Sequence, residues 1–208
     1  MLPRAIPIFP LPNVVLFPNV FLPLHIFEPR YREMTEEALA GDRLIGMTLL
    51  RPGWEEDDEG RPAVFDVGCA GVITHADRLP DGRFNIVLRG LAKFRITSEQ
   101  TGRAFRIANV ESLPESASAQ DRAYLRAERE RIEALIATTL ERHENRFPAP
   151  MPDEDLVNAL CQYLPFEPIE RQALLEQTGV RSRCGALVDL LEMQALTAAR
   201  PWRAGGTH

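Results

Sequence analysis

Lysine is almost absent from this chain. Lys93 is the one lysine in 208 residues, and the rest of the 24 basic side chains are arginine. A phosphate-cradling P-loop needs a lysine followed by Ser or Thr. Lys93 is followed by Phe94, so that motif is excluded. A surplus of positive charge is also missing, since 30 acidic against 24 basic residues leave a net charge of −6. Broad nucleic-acid binding draws its affinity from counterions displaced by Lys and Arg, and this balance disfavours it. Cysteine is scarce. Cys69, Cys161 and Cys184 are widely spaced and form neither a CxxC pair nor a zinc ladder, so they read as small buried hydrophobes in a reducing compartment. A continuous apolar run is lacking as well. Residues 6–27 are apolar, but Pro7, Pro10, Pro12, Pro18 and Pro23 interrupt them too often for a leader or membrane helix. These absences predict a cytoplasmic protein with no membrane partner, no metal and no cofactor. Apolar residues at 45% and charged residues at 26% are the mix of an ordinary globular chain.

The pattern present divides the chain near residue 114. Up to residue 110 it is that of strands with one early helix. Segments 6–9, 14–17 and 20–24 are short, β-branched or aromatic, and bounded by proline. Proline removes a ladder donor, which places such strands at edges, bends or bulges of a strongly curved sheet. Pro29 opens a helix that ends at Ala40, with Gly41 expected as a left-handed cap. Segments 44–50 and 63–73 follow as strands, separated by Trp54 and the carboxylate run Glu55-Glu56-Asp57-Asp58-Glu59. Asp81-Gly82 marks a hairpin turn before the alternating 84–88 segment, whose Phe84, Ile86 and Leu88 are assigned to the core. Gly90 is expected to break the register before 91–96, and 105–110 is the last strand. Beyond the polar connector 112–118 the period changes to about 3.6. Ser118 with Asp121 resembles a capping pair for a helix whose stripe is Leu125, Ile132, Leu135, Ile136 and Leu140. Three more helices are expected, starting near Asp153, Pro168 and Ser182. The first half carries a net charge of −1 and the residues after 110 a net −5, so the helical half is an acidic cover.

Ordered blocks of sequence are similar to a known family. Ile6-Pro7-Ile8-Phe9-Pro10-Leu11-Pro12-Asn13-Val14-Val15-Leu16-Phe17-Pro18 resembles the opening of the Lon protease N-terminal domain, and Leu22-Pro23-Leu24-His25-Ile26-Phe27-Glu28-Pro29-Arg30-Tyr31 its continuation. Val67-Gly68-Cys69-Ala70-Gly71-Val72-Ile73 and Val87-Leu88-Arg89-Gly90-Leu91-Ala92-Lys93-Phe94-Arg95-Ile96 resemble later blocks in the same order. The resemblance implies an α+β fold, a PUA-like curved β pseudo-barrel over 1–114 with one early helix and a helical bundle over 115–200; Pro201 and Gly205-Gly206 point to a flexible tail over 201–208. It also implies a stand-alone bacterial module for recognising unfolded or extended polypeptide, or a protein partner. The ATPase and serine–lysine protease modules of full-length Lon proteases do the chemistry and are not in this chain, so no catalytic residue is expected.

Several residues are singled out as candidate binding positions. Trp54, beside the acidic run, is a possible peptide anchor, the alternative being a ring folded back on the sheet. Phe9, Phe17, Phe21 and Phe27 are candidate aromatics beside strand edges that could accept an extra strand, several of them being expected in the core, and Phe17 and Phe21 are the two taken as binding candidates. Arg83, Arg89, Lys93 and Arg95 come from consecutive strand segments. If clustered, the four would form a small basic patch, and Arg89, Lys93 and Arg95 are its binding candidates, the basis of an alternative reading as a PUA-like RNA-binding module; the preferred reading is a solvated sheet face opposite the core of Phe84, Ile86 and Leu88. His25 is read as a hydrogen-bonded structural histidine rather than a general base. His143 through Phe147 superficially resembles a zinc helix but lacks the second histidine.

Overall fold

The computed structural model describes residues 2–56, 61–139 and 151–198. The greater part of the acidic run, Leu140, the His143 segment and the 201–208 tail lie outside the described residues. Within them the fold is α+β. In chain order the elements are β1 (Ala5–Leu11), β2 (Phe21–Ile26), α1 (Pro29–Ala40), β3 (Leu44–Leu49), β4 (Val67–Arg78), β5 (Phe84–Gln100), β6 (Arg106–Leu113), α2 (Ala119–Thr139), α3 (Asp153–Tyr163), α4 (Pro168–Glu176) and α5 (Val180–Ala198). They form two compact units. The sheet unit takes the residues up to Glu115 together with Asn158–Gln177, and the helical unit takes Ser116–Val157 and the residues from Thr178 on. Residues 158–177, grouped on sequence with the helical half, thus belong with the sheet.

The strand order is β2-β5-β4-β3-β1-β6, and β5 also pairs with β6. The path β5–β4–β3–β1–β6 therefore closes on itself, leaving β2 as the strand with one neighbour. The length of β5 makes this possible: Phe84–Arg89 pairs with β2, and Lys93–Gln100 with β6. β1 and β3 are parallel, and the other pairings are antiparallel. Period-two alternation sends Ile6, Ile8, Ala70, Phe94 and Ala108 to a common buried cluster. Phe84, Ile86 and Leu88 are buried as expected.

Gly90 shows why two glycines recur along the strands. A Cβ there would lie 2.0 Å from the Phe17 carbonyl oxygen. The chain at 17–20 crosses β5 at this point, with Asn19 N–H donating to Gly90 O and Gly90 N–H to Val20 O, each at 2.9 Å. Leu91 is the extra residue of the bulge, because Gly71 pairs with Gly90 while Ala70 pairs with Ala92. At Gly68 a Cβ would meet Met47 O at 2.4 Å.

Two local expectations are corrected. Residues 14–17 are an irregular segment, not a strand. Val15, Leu16 and Phe17 are buried, but Pro12 and Pro18 flank the segment, and side chains take over its backbone partners: Phe17 N–H donates to Gln162 Oε1 at 3.0 Å. Gly41 is not left-handed, with φ −114°. Arg43 takes the positive φ of 60° instead, and its N–H returns to Ala38 O at 2.9 Å.

In the helical unit, Ser118 and Asp121 cap α2 reciprocally. Asp121 N–H donates to Ser118 Oγ at 3.1 Å, and Ser118 N–H to Asp121 Oδ2 at 3.0 Å. Leu125, Ile132 and Ile136 of α2 are buried, as are Cys184, Leu187, Val188 and Leu191 of α5, and the two helices pack on each other.

Candidate functional site

The structure separates the residues proposed from sequence. Phe17 and Lys93 are withdrawn from any binding surface. Phe17 is fully buried where the chain crosses β5, and the Lys93 side chain is 3% exposed. The Lys93 ammonium donates to Leu175 O at 3.0 Å and to Gln177 O, and pairs with Glu115 at 2.7 Å. Its charge thus meets the carbonyl end of α4, where a cation is favoured. Arg83 is held by Asp81 at 2.6 Å, and that hydrogen bond keeps the Asp81 carboxyl below the usual carboxylate range. Arg89 donates to Asn19 Oδ1 at 3.2 Å. Arg95 is exposed, in register with Val67 and Glu111. The four cations do not form one patch.

Phe21 and Arg89 are brought together, as cross-strand partners of β2 and β5. Phe21 is 51% exposed and Phe27 60%, giving an open apolar margin. The free edge of β2 is nevertheless blunted against strand addition. Val20 O accepts from Gly90 N–H, so by alternation Phe21, Pro23 and His25 turn their main-chain groups away from β5. Phe21 O is already taken by Gln162 Nε2 at 2.9 Å and Tyr163 OH at 2.5 Å. Pro23 has no N–H to offer. Main-chain pairing with an incoming strand, expected at exposed edges, therefore finds little purchase here.

Trp54 occupies a different place. It sits on a single 3-10 turn after β3 and is 36% exposed. It lines a cleft of about 420 Å³ within the sheet unit, at the end of the ring where β1 and β3 finish and α1 begins. Pro10, Leu11 and Pro12 form one wall, Leu50 and Pro62 contribute from the segments after β3, and Tyr31 comes from the first turn of α1. Tyr31 is fixed by its neighbours. Its ring lies 4.2 Å from that of Phe9, centroid to centroid, and the Arg30 guanidinium covers it at 4.5 Å. Burial pushes the Tyr31 phenol above its usual range, so it is a neutral wall. The charged lining residues are Glu28, Arg30, Glu55 and Arg106. Sequence reading found Trp54 but missed Pro10, Pro12, Tyr31 and Arg106 as its company. The available signal was the proline pair around Leu11, which stiffens the chain just where β1 ends.

His25 is exposed rather than enclosed, with Nδ1 at 2.7 Å from Asn85 Oδ1 and Nε2 at 3.4 Å from Arg83 Nη1. All three cysteines are buried free thiols, and burial raises Cys184 to about 11, the opposite of an activated nucleophile. Among the described residues no group of three or more His, Cys, Asp or Glu is placed to hold a metal. No helix among them is long and apolar enough to cross a membrane.

Comparison with known proteins adds the family. The family described as the ATP-dependent protease La (LON) substrate-binding domain matches residues 5–193. Lon protease 2 of Syntrophobacter fumaroxidans is 29% identical over 187 residues, covering 87% of this chain and 23% of that protein. Lon protease 2 of Bdellovibrio bacteriovorus is 30% identical over 140 residues, or 65% of this chain and 17% of that protein. The chain thus spans less than a quarter of the length of these relatives. Two solved structures share the fold. The N-terminal domain of a Mycobacterium avium complex Lon protease has TM-score 0.67 at 19% identity, over 91% of this chain and 98% of that one. A Lon N-terminal domain protein from Xanthomonas campestris has TM-score 0.59 at 21% identity, over 95% and 99% respectively.

Proposed function

Because this chain belongs to the family of the ATP-dependent protease La (LON) substrate-binding domain, we propose that it is a non-catalytic recognition module for extended or unfolded polypeptide, and that the Trp54 cleft is where it holds the chain. The observation that supports this reading is the partly exposed Trp54 on the wall of a cleft lined by Pro10, Leu11, Pro12, Leu50 and Tyr31. Apolar walls accept a side chain released from water, and a large aromatic at the rim is the residue type that dominates binding energy at interfaces. Contact through side chains, instead of strand addition at β2, is what the blunted edge leaves available. The burial of Lys93 takes one of its four cations from the alternative RNA-binding patch and favours the polypeptide reading.

Calorimetric titration with a reduced, alkylated, unfolded model protein tests the reading. Wild type should bind, and Trp54→Ala should weaken binding about thirtyfold, the size of a hot-spot truncation, with an unchanged circular dichroism spectrum. Absence of binding by the wild type, or full binding by the variant, would overturn it.

A further inference from the structure

Pro62 lines the Trp54 cleft at a point where the strand-like pairing beside it has run out. The segments after β3 and before β4 are tied together by their main chains. Arg51 N–H donates to Ala63 O at 2.8 Å and Phe65 N–H to Leu49 O at 2.9 Å, while Arg51 Nε reaches Val64 O at 2.8 Å. Pro62, one residue before Ala63, brings no N–H with which to extend these pairings. Arg61 makes two long contacts of 3.4 Å each, to Gln100 O and Arg103 O, outside the usual range of a good hydrogen bond. The short bond is at Pro62 O, which accepts from Arg106 Nη1 at 2.7 Å.

Arg106 is itself clamped. It opens β6, in register with Ile8 of β1, and its side chain is 11% exposed. Its Nε donates to Glu99 Oε2 at 2.8 Å, and its Nη2 donates to Glu99 Oε1. This fork occupies one edge of the planar guanidinium and leaves Nη1 for the Pro62 carbonyl. A lysine carries one nitrogen on a flexible stem and cannot reproduce both contacts. Arg106 also lines the cleft.

We infer that Arg106 is a positioning residue for polypeptide binding: clamped by Glu99, it holds the Pro62 wall in place for an anchor side chain entering beside Trp54. This rests on the reading of the cleft as a polypeptide site. A wall fixed in advance spares the complex the cost of ordering it, so loosening it should weaken binding although Trp54 is still present.

The test is a double-mutant cycle on the full chain, titrated with the same alkylated, unfolded model protein. Arg106→Lys keeps the charge and loses the fork, and should weaken binding about tenfold, the worth of a hydrogen bond made by a charged group. Glu99→Gln, which leaves the guanidinium a neutral partner, should weaken it about threefold, and it carries the same test if Arg106→Lys does not fold. Added to Trp54→Ala, either change should cost less than about twofold more, because the two residues act on one anchor. A scaffold defect would instead multiply the separate losses. Wild-type affinity in both single variants, or multiplied losses in the double variant, would overturn the positioning role while leaving polypeptide recognition standing. Failure of the wild type to bind would overturn the polypeptide reading, and this inference with it.

Discussion

In the sheet unit, long polar side chains reach main-chain groups. Lys93 donates to Leu175 O and Gln177 O, Gln172 donates to Val67 O at 2.9 Å, and Gln162 serves both Phe17 N–H and Phe21 O. In the helical unit the charged side chains chiefly reach each other, as exposed arginines of the sheet unit also reach their carboxylates. Arg129 pairs with Asp153, Arg131 with Glu192 at 2.6 Å, and Arg181 with Asp121 at 3.4 Å. The difference follows from what each backbone leaves unpaired. A helix satisfies its interior N–H and C=O groups within itself. Its exposed side chains are then free to pair at the surface, where such pairs stabilise little. The irregular 13–20 segment and the end of α4 have no ladder, so buried side chains must supply the partners. The sheet unit should therefore be intolerant of single changes at its crossings, and the helical unit tolerant.

The largest test of that contrast is Gly90→Ala. The new methyl would be driven into Phe17 O, and backbone on both sides leaves no flexible group to yield. We expect a loss of at least ~3 kcal/mol, in the range that marks a severe steric mechanism, read as a lower urea midpoint; a change within ~0.5 kcal/mol would show that the crossing is loose. Next is Lys93→Met, which leaves Glu115 and two carbonyls without their cation. Removing one partner of a buried pair costs about 3–5 kcal/mol. In the wild type, an acylating reagent should spare Lys93 until urea unfolds the sheet unit, as peptide mass spectrometry would report; rapid native labelling would refute the burial argument. The smallest effect belongs to the helical unit. Arg131→Ala, which removes the exposed pair with Glu192, should cost about 1 kcal/mol or less, and high salt should reduce the difference further. A loss as large as that of Lys93→Met would erase the distinction between the units.

Local chemistry was readable where its partners lie close in sequence. The Asp81-Gly82 turn forms as expected, with Gly82 at φ 82° and Leu79 N–H bonded to Arg83 O at 2.8 Å. The same holds for Pro29 at the head of α1 and for the Ser118–Asp121 cap. Residues 14–17 misled because β-branched and aromatic side chains suit a strand and a buried irregular segment alike. At the candidate site only Trp54 was found, since the remaining walls arrive from β1, α1, the segments after β3 and the start of β6.

Composition and periodicity alone settled that the chain has strands with one early helix first and helices after, that the register breaks beside Gly90, and that its one lysine cannot serve a phosphate loop. Only tertiary structure decided that this lysine is buried, because its carbonyl partner at Leu175 lies 82 residues away. It also decided that α4 belongs with the sheet and that Trp54 faces a cleft. Hydrophobic pattern assigns a residue to inside or outside, but which distant backbone group completes its hydrogen bonds is known only once the chain has closed on itself.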